Sequence, residues 1–162
     1  ANDLLVSCQA VSAVFVIDGE SEEVKWLSTD FVKQHDPDFI GDGRVRVFDN
    51  NTDVSPDGSC LGGSRIVVQE LGTRELRVVY PADDTQSFYT THGGKVQGLA
   101  NGHWLITEAR RGRVFEVDQA GKTVWEWVQE TYQDDPSLVV EVLEGTRYDI
   151  PRGKVGSWGR SE

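Results

Sequence analysis

Residues 101–118 read NGHWLITEARRGRVFEVD, and residues 2–18 read NDLLVSCQAVSAVFVID. Each opens on Asn and a turn residue and runs into a short apolar stretch. Each then breaks at a polar turn and resumes as a second apolar stretch ending in Asp. Both lead on to a Val-Trp segment, Val24-Lys25-Trp26 in one and Val124-Trp125-Glu126-Trp127 in the other. Short apolar runs separated by turns such as Asn-Gly and Gly-Lys read as strands joined in hairpins. A unit of several strands that recurs within one chain is the signature of a repeat architecture.

A third, looser copy lies between them. Asp42-Gly43 stands where the Asn-Gly turn stands and is followed by Arg44-Val45-Arg46-Val47-Phe48. Ser64-Arg65-Ile66-Val67-Val68 matches Gly112-Arg113-Val114-Phe115, and residues 76–80 supply the closing strand. The extra length falls in residues 49–63, DNNTDVSPDGSCLGG, whose Gly, Asp and Asn content predicts a long loop. The expected fold is all-β, with about three β-propeller-type blades over residues 1–30, 31–90 and 91–133. A closing strand is expected over 138–148, where the Val-rich run SLVVEVL suits a strand as well as a helix. Residues 151–162 read as a loose, Gly-containing tail. Closed propellers have about four to eight blades, so three make an incomplete ring with exposed strand edges. A homo-oligomer, with a dimer as its simplest form, is expected to complete it.

The chain has 162 residues and a formal net charge of −11. Phosphate neutralisation needs clustered Lys and Arg, so nucleic acid is not an expected partner. No apolar run is long enough for a transmembrane helix, and no membrane insertion is expected. An anionic ligand would need a local basic pocket working against the global field. Cys8 and Cys60 fit no metal motif and stand either as two thiols or, in an exported protein, as one disulfide. No signal peptide is visible, so the compartment stays open. Asp49, Asn51 and Asp53 have the alternate spacing of a calcium loop, but Val54 replaces the required Gly and no Glu closes the motif. No metal and no other cofactor is expected. Trp26, Trp104, Trp125 and Trp127 recur at matching positions and read as packing residues.

An ordered series of short motifs carries a more specific signal. It runs Gln34-His35-Asp36, Val47-Phe48-Asp49-Asn50, Ser64-Arg65, Gly94-Lys95-Val96-Gln97-Gly98-Leu99, Asn101-Gly102 and Phe115-Glu116-Val117-Asp118. In order and spacing it resembles the arylsulfotransferase family, over most of residues 1–150. The resemblance implies a six-bladed propeller, often dimeric and periplasmic. It also implies transfer of a sulfuryl group between phenols through a transiently sulfurylated histidine, without a nucleotide donor. The residue matching that histidine is His35, and the ligand implied is a small phenol or sulfate ester. A threonine of the family pattern falls at Thr90 or Thr91.

The chemistry is sound on general grounds. A neutral imidazole is a good nucleophile near pH 7, and a covalent intermediate splits a hard transfer into two easier steps. His92 lies just before a first strand and is a candidate to face the same mouth as His35, while Arg65 is a candidate anion ligand or a partner of Asp49. His103, in the Asn101-Gly102 turn, is expected in solvent, and Arg110-Arg111 with Arg113 forms the densest cationic patch. Two departures from the family stand out. An arginine of the family falls at Gln9, and other family residues come from earlier blades that have no counterpart in these 162 residues. These departures support a second expectation, a non-catalytic binding or assembly module built on the same blades.

Overall fold

Period-2 alternation is what lets a strand bury one face against a neighbouring sheet and present the other to the next. The computed structural model describes residues 2–83, 86–131, 135 and 138–155, and side chains of all of these except residues 152 and 155. Among them are eleven strands: β1 Leu4–Cys8, β2 Ala13–Ile17, β3 Val24–Ser28, β4 His35–Gly41, β5 Arg44–Asp49, β6 Arg65–Glu70, β7 Leu76–Tyr80, β8 Lys95–Gly98, β9 Trp104–Glu108, β10 Arg113–Val117 and β11 Thr123–Val128. They form three antiparallel sheets, ordered β1-β2-β3, β4-β5-β6-β7 and β8-β9-β10-β11. The chain is all-β, and the blade-like sheets do not close a ring.

The sequence repeat is a structural repeat. β1 and β2 lie 100 positions before β9 and β10, and a 3₁₀ turn joins each pair, Gln9–Val11 in one and Ala109–Arg111 in the other. Both turns end in a left-handed residue, Ser12 at φ 53° and Gly112 at φ 58°. A bulge recurs as well, between Val16 and Ile17 against β3 and between Glu116 and Val117 against β11. The first sheet thus matches strands two to four of the third and contains no counterpart of β8 among the described residues.

The sheets approach one another through β1, β4 and β8. Between the first and second sheets, Val14, Phe31, Val45, Val47 and Val67 form one core, with Leu5 and Trp26 at its border. Between the second and third sheets, Phe48, Ile66, Tyr80, Phe88, Val96, Ile106, Phe115 and Val117 form the other. Its rings meet edge-on or tilted, Phe48 to Phe88 at 5.7 Å and Phe88 to Phe115 at 5.9 Å, the arrangements that aromatic quadrupoles favour. Trp104 packs against this core under Arg46, whose guanidinium carbon lies 5.2 Å from the indole centroid.

Two expectations are corrected. Residues 138–148 form no strand, and pair instead through scattered hydrogen bonds with the third sheet. Trp125 and Trp127 do not pack between sheets but stand 44% and 43% exposed on the outer face of the third. The expected loose tail falls on a short helix, α1 Arg152–Val155, and on residues 156–162, which lie outside the described residues.

Candidate functional site

Alternation sends Gln34 and His35 to opposite sides of the second sheet. Gln34 is fully buried, and its Nε2 donates to Ser7 Oγ at 3.1 Å and to the Ala13 carbonyl at 2.8 Å, which ties the start of β4 to the first sheet. His35 pairs across the ladder with Phe48, so it shares the face turned toward the third sheet. Asn50, one residue past β5, is buried beside it.

The Asn50 amide determines the state of the imidazole. Its Nδ2 donates to the Thr90 carbonyl at 3.0 Å and to the Gly93 carbonyl at 2.9 Å, so the atom facing His35 is the oxygen. His35 Nδ1 lies 2.6 Å from that oxygen, and an amide oxygen only accepts. The proton of a neutral imidazole therefore sits on Nδ1, and the lone pair sits on Nε2. The Gly93 N–H points at Nε2 from 3.3 Å, a long and weak hydrogen bond.

Gly93 belongs to a turn that carries three more of the candidates. Thr90 is fully buried, donates to the His92 carbonyl at 2.6 Å and accepts from the Arg110 N–H at 3.2 Å. Its hydroxyl builds the turn and is spent there. Thr91 Oγ1 lies 3.3 Å from His92 Nδ1. The His92 Nε2 lies 2.9 Å from Glu141. The structure thus joins His35 to this turn through backbone atoms of Gly93 and the side chain of Asn50. Asn50 was readable only as part of the Phe-Asp-Asn motif, because nothing local marks it as the residue that reaches back to β4.

Arg65 does not join the group. It pairs across the ladder with Asp49, on the face of the second sheet turned toward the first, and its Nε donates to Asp49 at 2.8 Å. Asp49 is completely buried and also accepts from the Val32 N–H at 2.8 Å. Of the two roles open to Arg65, the ion pair is the one its geometry takes up. Asp53 accepts from the N–H groups of Ser55 and Cys60 within its own loop.

The cation nearest in sequence to the turn is Lys95, the first residue of β8. Its ammonium lies 3.4 Å from Asp36 and 3.6 Å from Glu144. Burial alone would lower its pKa, but Asp36, then Glu144 and Asp38, outweigh burial and raise it. Asp36 is pinned in turn by the Val96 N–H at 2.8 Å.

Three further residue groups are placed by the structure. Cys8 and Cys60 are free thiols. His103 is not in open solvent, because its Nδ1 sits 2.7 Å from the buried Glu116. Two residues of the arginine patch, Arg111 and Arg113, line a cleft of about 840 Å³ with Phe88, Tyr89, Val128 and Val139. In that cleft, buried Glu108 lies 3.3 Å from Arg111 and 3.2 Å from Arg113. His35 is not among the residues that line it.

A family model described as arylsulfotransferase (ASST) matches residues 1–130. No curated protein and no solved structure matches significantly.

Proposed function

The chain belongs to the arylsulfotransferase family, and from that premise we propose that its site is the sulfuryl-accepting centre of a phenol sulfotransferase, with His35 Nε2 as nucleophile. The single observation that carries this reading is the 2.6 Å contact between His35 Nδ1 and Asn50 Oδ1. It keeps the proton on Nδ1 and the lone pair on Nε2.

In the first step Nε2 attacks the sulfur of an aryl sulfate ester. The N–S bond forms as the S–O bond to the ring breaks, and the phenolate leaves with the electron pair and takes a proton from water. The resulting imidazolium keeps its proton on Nδ1, which donates to the Asn50 oxygen. In the second step an acceptor phenol attacks sulfur, loses its proton to solvent and releases Nε2 with its lone pair. The Gly93 N–H, now 3.3 Å from Nε2, has to yield that position to sulfur. It then becomes a fixed donor for a sulfuryl oxygen, the kind of preorganised dipole that stabilises developing charge. Thr91 in the turn and Lys95 just after it are further candidates to meet the sulfuryl oxygens. Arg65 and Thr90, already committed to Asp49 and to the turn, act by holding the scaffold.

A second reading, a blade module that binds or assembles without catalysis, is favoured by one observation. Both nitrogens of His35 already have partners within the protein. One experiment separates the two readings. Sulfate transfer from an aryl sulfate to a phenol is measured for the wild type, His35→Ala and Asn50→Ala, with peptide mass spectrometry for sulfohistidine after incubation with donor alone. The catalytic reading expects sulfurylation at residue 35 and loss of transfer in His35→Ala. In Asn50→Ala it expects a fall in kcat of roughly 10- to 100-fold, the cost of a misoriented group. An intact wild type with neither transfer nor sulfohistidine leaves the binding module as the answer.

A further inference from the structure

The segment after the third sheet has the composition of a strand and the contacts of a strap. Among the described residues its backbone joins the sheet and its turn at three places. Val142 N–H donates to the Ala109 carbonyl at 3.1 Å, Gly145 N–H donates to Thr107 Oγ1 at 2.8 Å, and Arg147 exchanges two hydrogen bonds with the Gln97 amide at 2.9 and 2.8 Å. Arg147 also pairs with Glu116 and lies 5.1 Å from the Trp125 ring. Leu138, Val139 and Leu143 stay 53%, 43% and 65% exposed, so little apolar area holds the segment down. Segments with few buried contacts and no ladder belong to the low-stability end of a protein.

Two glycines make the docking sterically possible. A Cβ on Gly145 would sit 2.9 Å from Val114 Cγ1, and one on Gly112 would sit 2.5 Å from the Val140 carbonyl oxygen. The equivalent of Gly112 in the first sheet is Ser12, whose side chain accepts from the Lys33 N–H where no strap passes.

The acidic residues of the strap reach the turn over His35. Glu141 lies 2.9 Å from His92 Nε2, and Glu144 lies 3.6 Å from Lys95. His92 immediately precedes Gly93, whose N–H covers His35 Nε2. We propose that residues 138–148 are a gating strap: docked, they hold the Thr90–Gly94 turn over Nε2 of His35, and released, they let the turn lift and open that nitrogen to a ligand. Glu141 is then a positioning residue that acts through His92. The proposal rests on the reading of His35 as the reactive group, but it concerns only access to Nε2.

The test reads access without requiring turnover. Gly145→Val displaces the strap by steric clash with Val114, and Glu141→Gln weakens its hold on His92 with little change in shape. For each variant and the wild type, ethoxycarbonylation of His35 by diethyl pyrocarbonate is timed by peptide mass spectrometry against free N-acetylhistidine. Hydrogen exchange of the strap and of Gly93 is followed alongside. Both variants are expected to modify His35 faster by roughly three- to tenfold, the span that losing one or two polar contacts corresponds to. Exchange should rise in both the strap and Gly93. An unchanged His35 rate with a released strap overturns the proposal, because the turn then stays closed by itself. Unchanged strap exchange in both variants overturns it too, because these contacts then do not dock the strap. Absence of sulfate transfer in the wild type touches the functional reading and leaves this result standing.

Discussion

At the scale of single residues, the site turns on which atom faces which. His35 and Asn50 each occur in a motif that the sequence displays, but the tautomer comes from the two carbonyls that orient the Asn50 amide. Arg65 was legible as an anion ligand or an ion-pair partner, and the ladder decides for the pair by placing it opposite Asp49. Glu116 carries the clearest pH signature. Burial alone would raise its pKa, but Arg147, His103 and Asn101 together lower it from 4.5 to about 2. A carboxyl held low in the folded state adds stability that is fully present above its ordinary value and drains away as pH falls toward about 2. The contribution is roughly 1–3 kcal/mol. Urea midpoints taken between about pH 6 and pH 3 should therefore fall steeply in the wild type. In Glu116→Gln the midpoint should be lower at neutral pH and fall less steeply below it, the remaining fall coming from Asp18, Asp30, Asp53 and Asp57, which are also held low. An equally steep fall in that variant assigns the acid sensitivity to other carboxyls.

At the scale of elements, strands are legible because alternation and turn chemistry are local. The copies at residues 2–18 and 101–118 become the same hairpin with the same 3₁₀ turn and the same bulge. What differs between them is burial, which depends on neighbours. Phe115 is fully buried between the second and third sheets, whereas Phe15, its equivalent, is half-buried on the outer face of the first. Phe115→Ala should cost about 3–5 kcal/mol in chemical denaturation, the range for losing a buried ring. Phe15→Ala should cost only about 1–2 kcal/mol. Equal costs for the two would mean that the first sheet's outer face is covered in solution. Residues 138–148 show the limit of local reading. Their Val content suits a strand, yet a strand also needs a free edge in register, and the structure gives them scattered contacts instead.

At the scale of the whole molecule, the two end sheets present apolar faces, with Leu4 and Leu27 exposed at one end and Trp125 and Trp127 at the other. Through the internal repeat, the exposed face of the first sheet corresponds to the face of the third that packs on the second. A second copy of the chain therefore offers the matching kind of surface. Light scattering at micromolar concentration is expected to find a dimer or larger species despite the −11 charge, shifted toward monomer by Leu27→Glu or Trp127→Glu. A compact monomer in the wild type would count against completion of the ring by self-association. The strands, the blade repeat, the family and the position of His35 at the head of a first strand were all legible in the amino-acid sequence. Each of these is written in residues close together along the chain. What meets His35 is set by contacts distant along the chain. Asn50, 15 residues away, is brought beside it by the β4–β5 ladder, and Gly93, 58 away, reaches it because the second and third sheets stack through an aromatic core. Side-chain pairing across stacked sheets depends on register and packing at a distance, which no local pattern encodes.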